Sequence, residues 1–343
     1  MRPYDAFLLI SFGGPEAAGD VIPFLENVTR GRGIPRERLA EVGEHYFLFD
    51  GVSPINGQCR ELIAAIRADF AANGVDLPIY WGNRFWDPML ADTVAQMAKD
   101  GVRRVVALAT SAYSNYSSHR AYLNDIEAAR AAVGPDAPEI ELIRPFYDHP
   151  GFIEPLAAYA REALDRLPEA ERAGARLLFS AHSIPTAMAD TSGAPEHGFG
   201  PGGAYAAQLA EVARLVSERL GGGHAYDLVY QSRSGPPSQP WLEPDVNDRL
   251  AELADEGVSA VVVIPYGFVS DHMEVKYDLD HEARDTADRL GLAFERALSP
   301  GTHPRFVAMV RELVAERASG AGPVGLGDLP RCPDGGSDCC MPR

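Results

Sequence analysis

The sequence predicts an α/β fold with two similar doubly wound, Rossmann-like lobes, each built on a parallel sheet, and a cleft between them. Short β-branched, apolar runs alternate with longer amphipathic segments along most of the chain, which is typical of strands and helices in such folds. The chain has 343 residues, a length that favours two domains. The same series of sequence landmarks also occurs in both halves.

The internal repeat decides the predicted domain boundaries. Similar segments, in the same order, are 8–15 with 177–185, 86–88 with 241–244, 101–110 with 257–266, 122–125 with 277–280, and 149–152 with 303–306. We predict lobes at 1–155 and 156–317, with ligands bound in the cleft between them. Residues 318–343 are rich in Gly, Pro and Asp without periodicity, so they form a tail that cannot bury a core of its own.

Local patterns predict the individual elements. A strand of about six residues follows Asp5, where apolar residues begin directly. The apolar spacing of residues 61–70 is that of an amphipathic helix. Buried strands are predicted within 101–110, at 175–179 and at 261–264, because these short runs are almost wholly apolar.

Two polar residues follow predicted strands of the second half. His182 comes after one buried strand, and Glu274 lies in the loop after another. Because ligands of open α/β sheets bind at the carboxyl ends of strands, we expect both side chains in the cleft. Imidazole and carboxylate together suit a divalent metal or proton transfer. Asp271 and Asp278 would share a helix face with Glu274, either as an acidic row that passes metal or protons or as a solvated face.

Composition limits the partners and the compartment. The chain carries 49 acidic and 31 basic residues, a net charge of −18, which argues against nucleic acid as a partner. It shows neither a signal-peptide pattern nor an apolar run near the roughly 20 residues that span a bilayer. We therefore expect a cytoplasmic protein, as a monomer. The basic segment 30–38 either receives an anionic small molecule or is a solvated loop.

Three of the four cysteines, Cys332, Cys339 and Cys340, lie close to the C terminus, and Cys59 lies in a helical pattern. Disulfides are the less expected use of cysteine in a cytosolic chain. Three thiols in so short a segment favour a metal or cluster site.

Seven segments resemble motifs of the ferrochelatase family, in the same order. They are residues 11–15, 24–28, 51–57, 181–185, 230–236, 241–245 and 265–274. The Cys-containing tail further resembles actinobacterial members, which hold a [2Fe-2S] cluster and use coproporphyrin III. The resemblance implies a lyase of haem and porphyrin biosynthesis that inserts Fe(II), its metal substrate, into coproporphyrin III.

The resemblance also implies roles for individual residues. It assigns iron binding and proton acceptance to His182 and Glu274, and contacts with coproporphyrin to Ser53 and Tyr122. Arg30 is the candidate partner of a propionate, since a guanidinium pairs bidentately with a carboxylate.

Phe12 departs from the Bacillus-type members of the family, which carry an iron-ligating tyrosine there. A phenyl ring cannot ligate iron, so its expected role is to press on the macrocycle.

The implied cluster has three candidate ligands in Cys332, Cys339 and Cys340, and a [2Fe-2S] cluster needs four. His119 and Cys59 are the two candidates for the fourth position. A zinc site and free thiols are the alternatives to a cluster.

Three other functions stay open at this point. One is a protoporphyrin IX ferrochelatase, and the second is a cobalt or nickel chelatase acting on sirohydrochlorin. The third is a non-catalytic porphyrin or haem carrier, which the fold alone cannot exclude.

Overall fold

A computed structural model describes residues 4–235, 238–332 and 339–341. It contains two four-stranded parallel sheets, with strand orders β2-β1-β3-β4 and β6-β5-β7-β8. The two orders correspond strand for strand, so the repeat in the sequence is a repeat of structure. This confirms the predicted fold class.

The first half holds four strands and six helices among the described residues. They are β1 (Ala6–Ser11), α1 (Val21–Val28), α2 (Arg36–Phe47), α3 (Ile55–Ala72), β2 (Ile79–Asn83), α4 (Leu90–Lys99), β3 (Arg104–Ala109), α5 (Ala121–Val133), β4 (Glu139–Leu142) and α6 (Pro150–Arg166). A π-helical turn, Tyr116–Arg120, leads into α5.

The second half repeats this strand order with a different set of connecting helices. Its elements are α7 (Glu169–Arg172), β5 (Arg176–His182), α8 (Thr186–Asp190), α9 (Gly203–Arg219), β6 (Tyr226–Gln231), α10 (Val246–Asp255), β7 (Ala260–Ile264), α11 (Met273–Tyr277), α12 (Arg284–Leu290), β8 (Ala293–Arg296) and α13 (Pro304–Ser319). A second π-helical turn, Asp278–Ala283, joins α11 to α12.

The central strands are apolar on both faces. Every residue of β1 and of β7 is buried, as expected for parallel strands covered by helices on both sides. The pairing of β5 with β6 sets His182 opposite Gln231, and the pairing of β1 with β2 sets Ser11 opposite Asn83. The carboxyl ends of both sheets therefore carry polar side chains in corresponding places.

Helices α6 and α13 pack across the two halves. α6 contacts β7 and β8 of the second sheet, whereas α13 contacts α3 and β3 of the first half. Arg311 of α13 pairs with Asp69 of α3 at 2.8 Å. The boundary predicted between residues 155 and 156 falls within α6, which is continuous there.

The described part of the tail packs along the loop after β4. Arg144 donates to the carbonyl of Val324 at 2.7 Å, and the amide of Leu326 donates to the carbonyl of Asp148 at 2.9 Å. Arg331 forms an ion pair with the fully buried Asp148. These contacts fix the position of the tail up to Cys332. No described helix is long and apolar enough to cross a bilayer.

Candidate active site

His182 and Glu274 lie next to each other at the carboxyl edge of the second sheet. His182 is the last residue of β5, and Glu274 is in the first turn of α11. The nitrogen of His182 (Nε2) is 3.3 Å from an oxygen of Glu274 (Oε1). His272 caps α11, since its Nδ1 accepts a hydrogen bond from the amide of Glu274 at 3.1 Å. The two residues predicted from the sequence are therefore brought together.

Gln231, at the end of β6, holds both sides of this pair. Its side-chain oxygen accepts a hydrogen bond from Ser180 at 2.7 Å, and its side-chain nitrogen donates to the carbonyl of Glu274 at 2.6 Å. Its own carbonyl accepts from the amide of Ser183 at 2.8 Å. Gln231 is 1% exposed, so these bonds form away from solvent. One side chain thus fixes β5 relative to the helix that carries Glu274.

The opposite charges of His182 and Glu274 stabilise each other and shift both pKa values. Burial lowers the pKa of His182, but the Glu274 carboxylate more than offsets this and raises the pKa to about 9. Burial likewise raises the pKa of Glu274, and the charge of His182 outweighs it and lowers the pKa to about 2. At neutral pH the site therefore holds an imidazolium beside a carboxylate.

Asp278, one turn beyond Glu274, titrates differently. Burial raises its pKa to about 7, the hydrogen bond from Ser232 opposes this, and the charge of Glu274 adds to it. Ser232 donates that bond directly to the Asp278 carboxylate. A carboxyl with this pKa can take and release protons near neutral pH.

The loop that carries Glu274 is fixed at both ends by Arg296 of β8. Its guanidinium lies 3.0 Å from Asp271 and 3.1 Å from Asp280, and the side chain is 8% exposed. Lys276 pairs with Asp280 at 2.6 Å. Asp271 is thus bound in an ion pair at the start of the loop, while Asp278 stays near His182. Asp271 precedes α11, whose N-cap is His272, so it does not share a helix face with Glu274 as the predicted acidic row required.

An aromatic cluster stands at the carboxyl edge of the first sheet. Phe12, directly after β1, has its ring centroid 4.6 Å from that of Phe85 and 6.2 Å from that of Phe24. Trp86 and Tyr46 pack on the other sides of Phe24. Phe12 is partly exposed, so an apolar surface is available there.

Tyr46 was not predicted from the sequence, although it relates the aromatic cluster to the His–Glu pair. Burial raises its pKa, and the carboxylates of Glu274 and Asp278 raise it further. The preceding residue, His45, stacks on Tyr277 with ring centroids 3.8 Å apart. Helix α2 therefore contacts α11 directly. The aromatic run after His45 was the only sequence signal for this contact.

The predicted porphyrin contacts have different exposures. Arg30 is exposed, with its guanidinium 2.5 Å from Asn27, whose own amide donates to the carbonyl of Phe85. Ser53 is buried against Gly14, where an added Cβ would lie 2.8 Å from the Ser53 hydroxyl. Tyr122 is 5% exposed in the outer core of the first half, with Arg84 over its ring at 4.8 Å. Arg30 lies beside the aromatic cluster, and Tyr122 is connected to that cluster by Arg84, whose guanidinium lies 4.8 Å from the ring centroids of both Tyr122 and Phe85.

The three tail cysteines converge in a cluster of their own. All are buried, and their sulfurs lie within 4.8 Å of one another. Cys332 and Cys339 are joined as a disulfide, and the sulfur of Cys340 is 3.4 Å from that of Cys339. The sequence favoured a metal or cluster site here, with disulfides as the less expected use of cysteine, and the disulfide departs from that expectation. Sulfurs that converge this closely suit either a disulfide or a shared metal.

The two candidates for a fourth ligand lie in different places. Burial raises the pKa of the Cys340 thiol to about 11, opposed by a hydrogen bond from Gly193 and by the charge of Arg120. Arg120 follows the buried His119 in the π-helical turn, so that turn lies beside the tail cysteines. Cys59 instead lies on α3 in the main core, where its thiol is hydrogen-bonded to Ser11.

The chain is similar over nearly its whole length to known proteins. A family model described as Ferrochelatase matches residues 4–318. A coproporphyrin III ferrochelatase of Streptomyces coelicolor is 54% identical, over 99% of this chain and 94% of the relative. The protein of that name from Nocardia farcinica is 53% identical, over 99% and 97%. A ferrochelatase of Rhodopirellula baltica is 50% identical, over 99% and 94%.

Solved structures share the fold at low sequence identity. SirB from Bacillus subtilis with Fe3+ has a TM-score of 0.56 and 11% identity, covering 93% of this chain and 98% of that one. The sirohydrochlorin chelatase SirB from the spizizenii subspecies, in complex with cobalt, has a TM-score of 0.51 and 12% identity, covering 94% and 97%. At these identities the likeness supports the two-lobed fold.

Proposed function

Because the chain belongs to the ferrochelatase family, we propose that it inserts Fe(II) into coproporphyrin III and releases coprohaem in haem biosynthesis. The observation that carries this proposal is the contact of His182 with Glu274, 3.3 Å apart at the carboxyl edge of the second sheet. A carrier has no need of a proton-sharing pair of this kind. The identity of more than half to coproporphyrin III ferrochelatases favours that porphyrin over protoporphyrin IX.

Metal insertion requires that two pyrrole protons leave the porphyrin while Fe(II) loses water. We assign iron binding to His182 and Glu274, because an imidazole nitrogen and a carboxylate oxygen both suit Fe(II). The imidazolium must lose its proton before it can bind iron or accept a pyrrole proton. The Glu274 carboxylate raises the pKa of His182, so Fe(II) binding at the pair is expected to compete with this proton.

Asp278 is the proposed acceptor of protons released at the pair. Its pKa of about 7 lies near neutral pH, where a carboxylate takes up and releases protons with similar ease. Its charge also acts on His182, as expected for groups a short distance apart. The hydrogen bond from Ser232 keeps this carboxyl oriented.

The aromatic cluster is the proposed binding surface for the macrocycle. Phe12 and Phe85 are partly exposed and offer ring surface, and the buried Phe24 packs against Phe12. An apolar macrocycle gains free energy by leaving water against such a surface. Phe12 has no oxygen, so it can support the ring only by contact. Ser53 and Tyr122 remain proposed porphyrin contacts, although both are buried here. Arg84, whose guanidinium lies over the rings of both Tyr122 and Phe85, connects Tyr122 to this surface.

Arg30 is the proposed partner of a propionate. It is exposed beside the aromatic cluster, and Asn27 holds its guanidinium. Replacing Arg30 by Ala is expected to raise the KM for coproporphyrin III about fivefold, the value of one exposed charge-assisted bond, with kcat retained. The matched control is Arg32→Ala in the same loop. An unchanged KM in the Arg30 variant would remove this role.

The tail cysteines are proposed to hold a [2Fe-2S] cluster, with His119 as the fourth ligand. Three donors are in place, since three buried sulfurs lie within 4.8 Å of one another, and the Cys332–Cys339 disulfide would be reduced before cluster binding. His119 is the proposed fourth donor because the charge of the next residue, Arg120, acts on the Cys340 thiol. Cys59 is disfavoured because its thiol is enclosed in the main core against Ser11. When bound, such a cluster supplies one-electron redox chemistry. Iron and sulfide analysis of His119→Ala and Cys59→Ala variants distinguishes the two ligand sets.

Anaerobic turnover with Fe(II) tests the proposed reaction. Coproporphyrin III and protoporphyrin IX are offered in parallel to the full chain while the Soret band is followed, with His182→Ala as the inactive control. We expect repeated turnover, faster with coproporphyrin III. A preference for protoporphyrin IX would overturn the substrate assignment. Stoichiometric binding without turnover of either porphyrin would indicate a carrier.

A further inference from the structure

Two hydrogen bonds join the tail cysteines to the segment after β5. The amide of Cys340 donates to the carbonyl of Gly193 at 3.3 Å, and the amide of Gly193 donates to the sulfur of Cys340 at 3.3 Å. Both residues are buried. Any ligand that fixes the position of Cys340 therefore also fixes Gly193.

Gly193 begins a segment that needs such an anchor. Between it and α9 the backbone takes positive φ angles at Gly193, Gly198, Gly200, Gly202 and Gly203. Glycine has more backbone freedom to lose on folding than any other residue, so this segment is costly to order. A fixed Gly193 reduces that freedom at one end.

Ser192 connects the anchor to the first turn of α9. Its carbonyl accepts a hydrogen bond from the amide of Ala204 at 3.1 Å, and its hydroxyl accepts from the amide of Tyr205 at 2.9 Å. The same hydroxyl donates to the carbonyl of Ala189 at 2.6 Å. The start of α9 is thereby held by the residue that precedes Gly193.

Tyr205 completes the path to the candidate active site. Its hydroxyl donates to the backbone carbonyl of His182 at 2.9 Å, and its side chain is 3% exposed. The Nδ1 of His182 in turn is hydrogen-bonded to the carbonyl of Ser183. The orientation of the peptide after His182 therefore bears on where the imidazole points.

We propose that Tyr205 is a positioning residue that couples the tail cysteines to His182. When Cys340 is held by its ligand, Gly193 and Ser192 are fixed, the start of α9 is ordered, and the hydroxyl of Tyr205 fixes the His182 carbonyl. When Cys340 is released from its ligand, the segment between Gly193 and α9 becomes less ordered, and the imidazole of His182 is less well oriented. This coupling rests on the proposed role of His182 in iron binding.

A double-mutant cycle on the full chain tests the coupling, with Cys340→Ala and Tyr205→Phe as the two changes. The amides of Ala204 and Tyr205 report on the path by hydrogen exchange, and the KM for Fe(II) reports on its end. We expect Cys340→Ala to speed exchange at these two amides about tenfold, which is loss of roughly one net hydrogen bond's protection. We expect Tyr205→Phe to raise the KM for Fe(II) about fivefold without altering exchange.

The decisive comparison is the double variant. If Cys340 acts on His182 through Tyr205, Cys340→Ala adds no further rise in the KM for Fe(II) when Tyr205 is already replaced by Phe. Effects that multiply, or unchanged exchange at Ala204 and Tyr205 in Cys340→Ala, would overturn the coupling. Ser192→Ala leaves the tail intact and removes only the hydroxyl that accepts from the amide of Tyr205. It is expected to speed exchange at Tyr205 and to raise the KM for Fe(II), so the test does not depend on how well the Cys340 variant folds.

Tyr147→Phe is the matched control. Tyr147 is fully buried in the same aromatic core, and its hydroxyl has no hydrogen-bond partner among the described residues. Removing it should leave exchange and the KM for Fe(II) unchanged. A wild-type chain that does not turn over coproporphyrin III would refute the proposed function instead, and the exchange measurements would still decide the coupling.

Discussion

The carboxyl edges of the two sheets are built alike and carry different chemistry. In the first half, the buried Ser11 donates to the side-chain oxygen of Asn83 on the neighbouring strand. In the second half, the buried Ser180 donates to the side-chain oxygen of Gln231 in the same way. The residues that follow differ, since Phe12 joins an aromatic cluster and His182 joins Glu274.

In each edge, the hydrogen bond between a serine and a side-chain amide forms the frame, and the residues that follow it determine the chemistry. The serine–amide bond is a means of fixing strand ends, and both halves keep it. The amide nitrogen then serves different partners, because Asn83 donates to the carbonyl of Asp87 at 3.1 Å while Gln231 donates to the carbonyl of Glu274 at 2.6 Å. One edge is therefore suited to hold an apolar ring and the other to handle protons and metal.

The largest expected effect comes from removing the chemistry of the second edge. His182→Ala should lower the turnover of coproporphyrin III by a factor of about 10²–10⁴, because a proton-transfer group and an iron ligand are lost together. Porphyrin binding, followed by fluorescence quenching, should stay close to wild type. Full activity in this variant would remove His182 from the proposed mechanism.

The two frames are compared by replacing Gln231 and Asn83 with Leu in separate variants. Each is expected to lower the free energy of unfolding by about 1–3 kcal/mol, since buried hydrogen-bond partners are left unsatisfied. Gln231→Leu should in addition raise the KM for Fe(II) about tenfold, an effect of misplacing Glu274. Asn83→Leu should instead raise the KM for the porphyrin and leave the KM for Fe(II) unchanged. Denaturant unfolding and initial rates check both, and equal iron dependence in the two variants would contradict this division.

Asp278→Asn is expected to have a moderate effect that depends on pH. Because the pKa of Asp278 is raised to about 7, its negative charge appears as the pH rises through neutrality. The KM for Fe(II) of the wild type should therefore fall between about pH 6 and about pH 8, and that of the variant should stay flat. A raised pKa in the folded state also means that ionised Asp278 destabilises the fold, so the variant should be the more stable protein above pH 7. Identical pH profiles would exclude Asp278 from the proton path.

The smallest effect is expected from Phe12→Leu in the first edge. The change keeps an apolar side chain and loses two aromatic contacts, so stability should fall by about 0.5–1.5 kcal/mol. Turnover should stay within about threefold of wild type, because Phe12 supplies contact and no ligand atom. Measured beside His182→Ala, this variant gives the contrast between the two edges.

The sequence allowed the fold and the His–Glu pair to be predicted for a physical reason. Strand runs such as 261–264 are apolar throughout, and His182 follows its strand directly, so both patterns are local. The partners of that pair were not predictable in the same way. Gln231, Tyr205 and Arg296 are far from His182 in the chain, and only the pairing of strands and helices brings them together.

The tail illustrates the same limit. Its lack of periodicity was apparent, whereas its anchoring through Asp148 and Arg144 depends on the loop after β4. The disulfide between Cys332 and Cys339 was not expected either, because spacing alone does not say how closely sulfurs converge.

The crossed packing of α6 and α13 limits how the molecule can be divided. These helices occupy equivalent places in the two halves, yet each covers elements of the other half. A half expressed alone would leave the apolar face of its last helix exposed to water. We therefore expect neither half to be stable as a separate monomer, although each has its own four-stranded sheet.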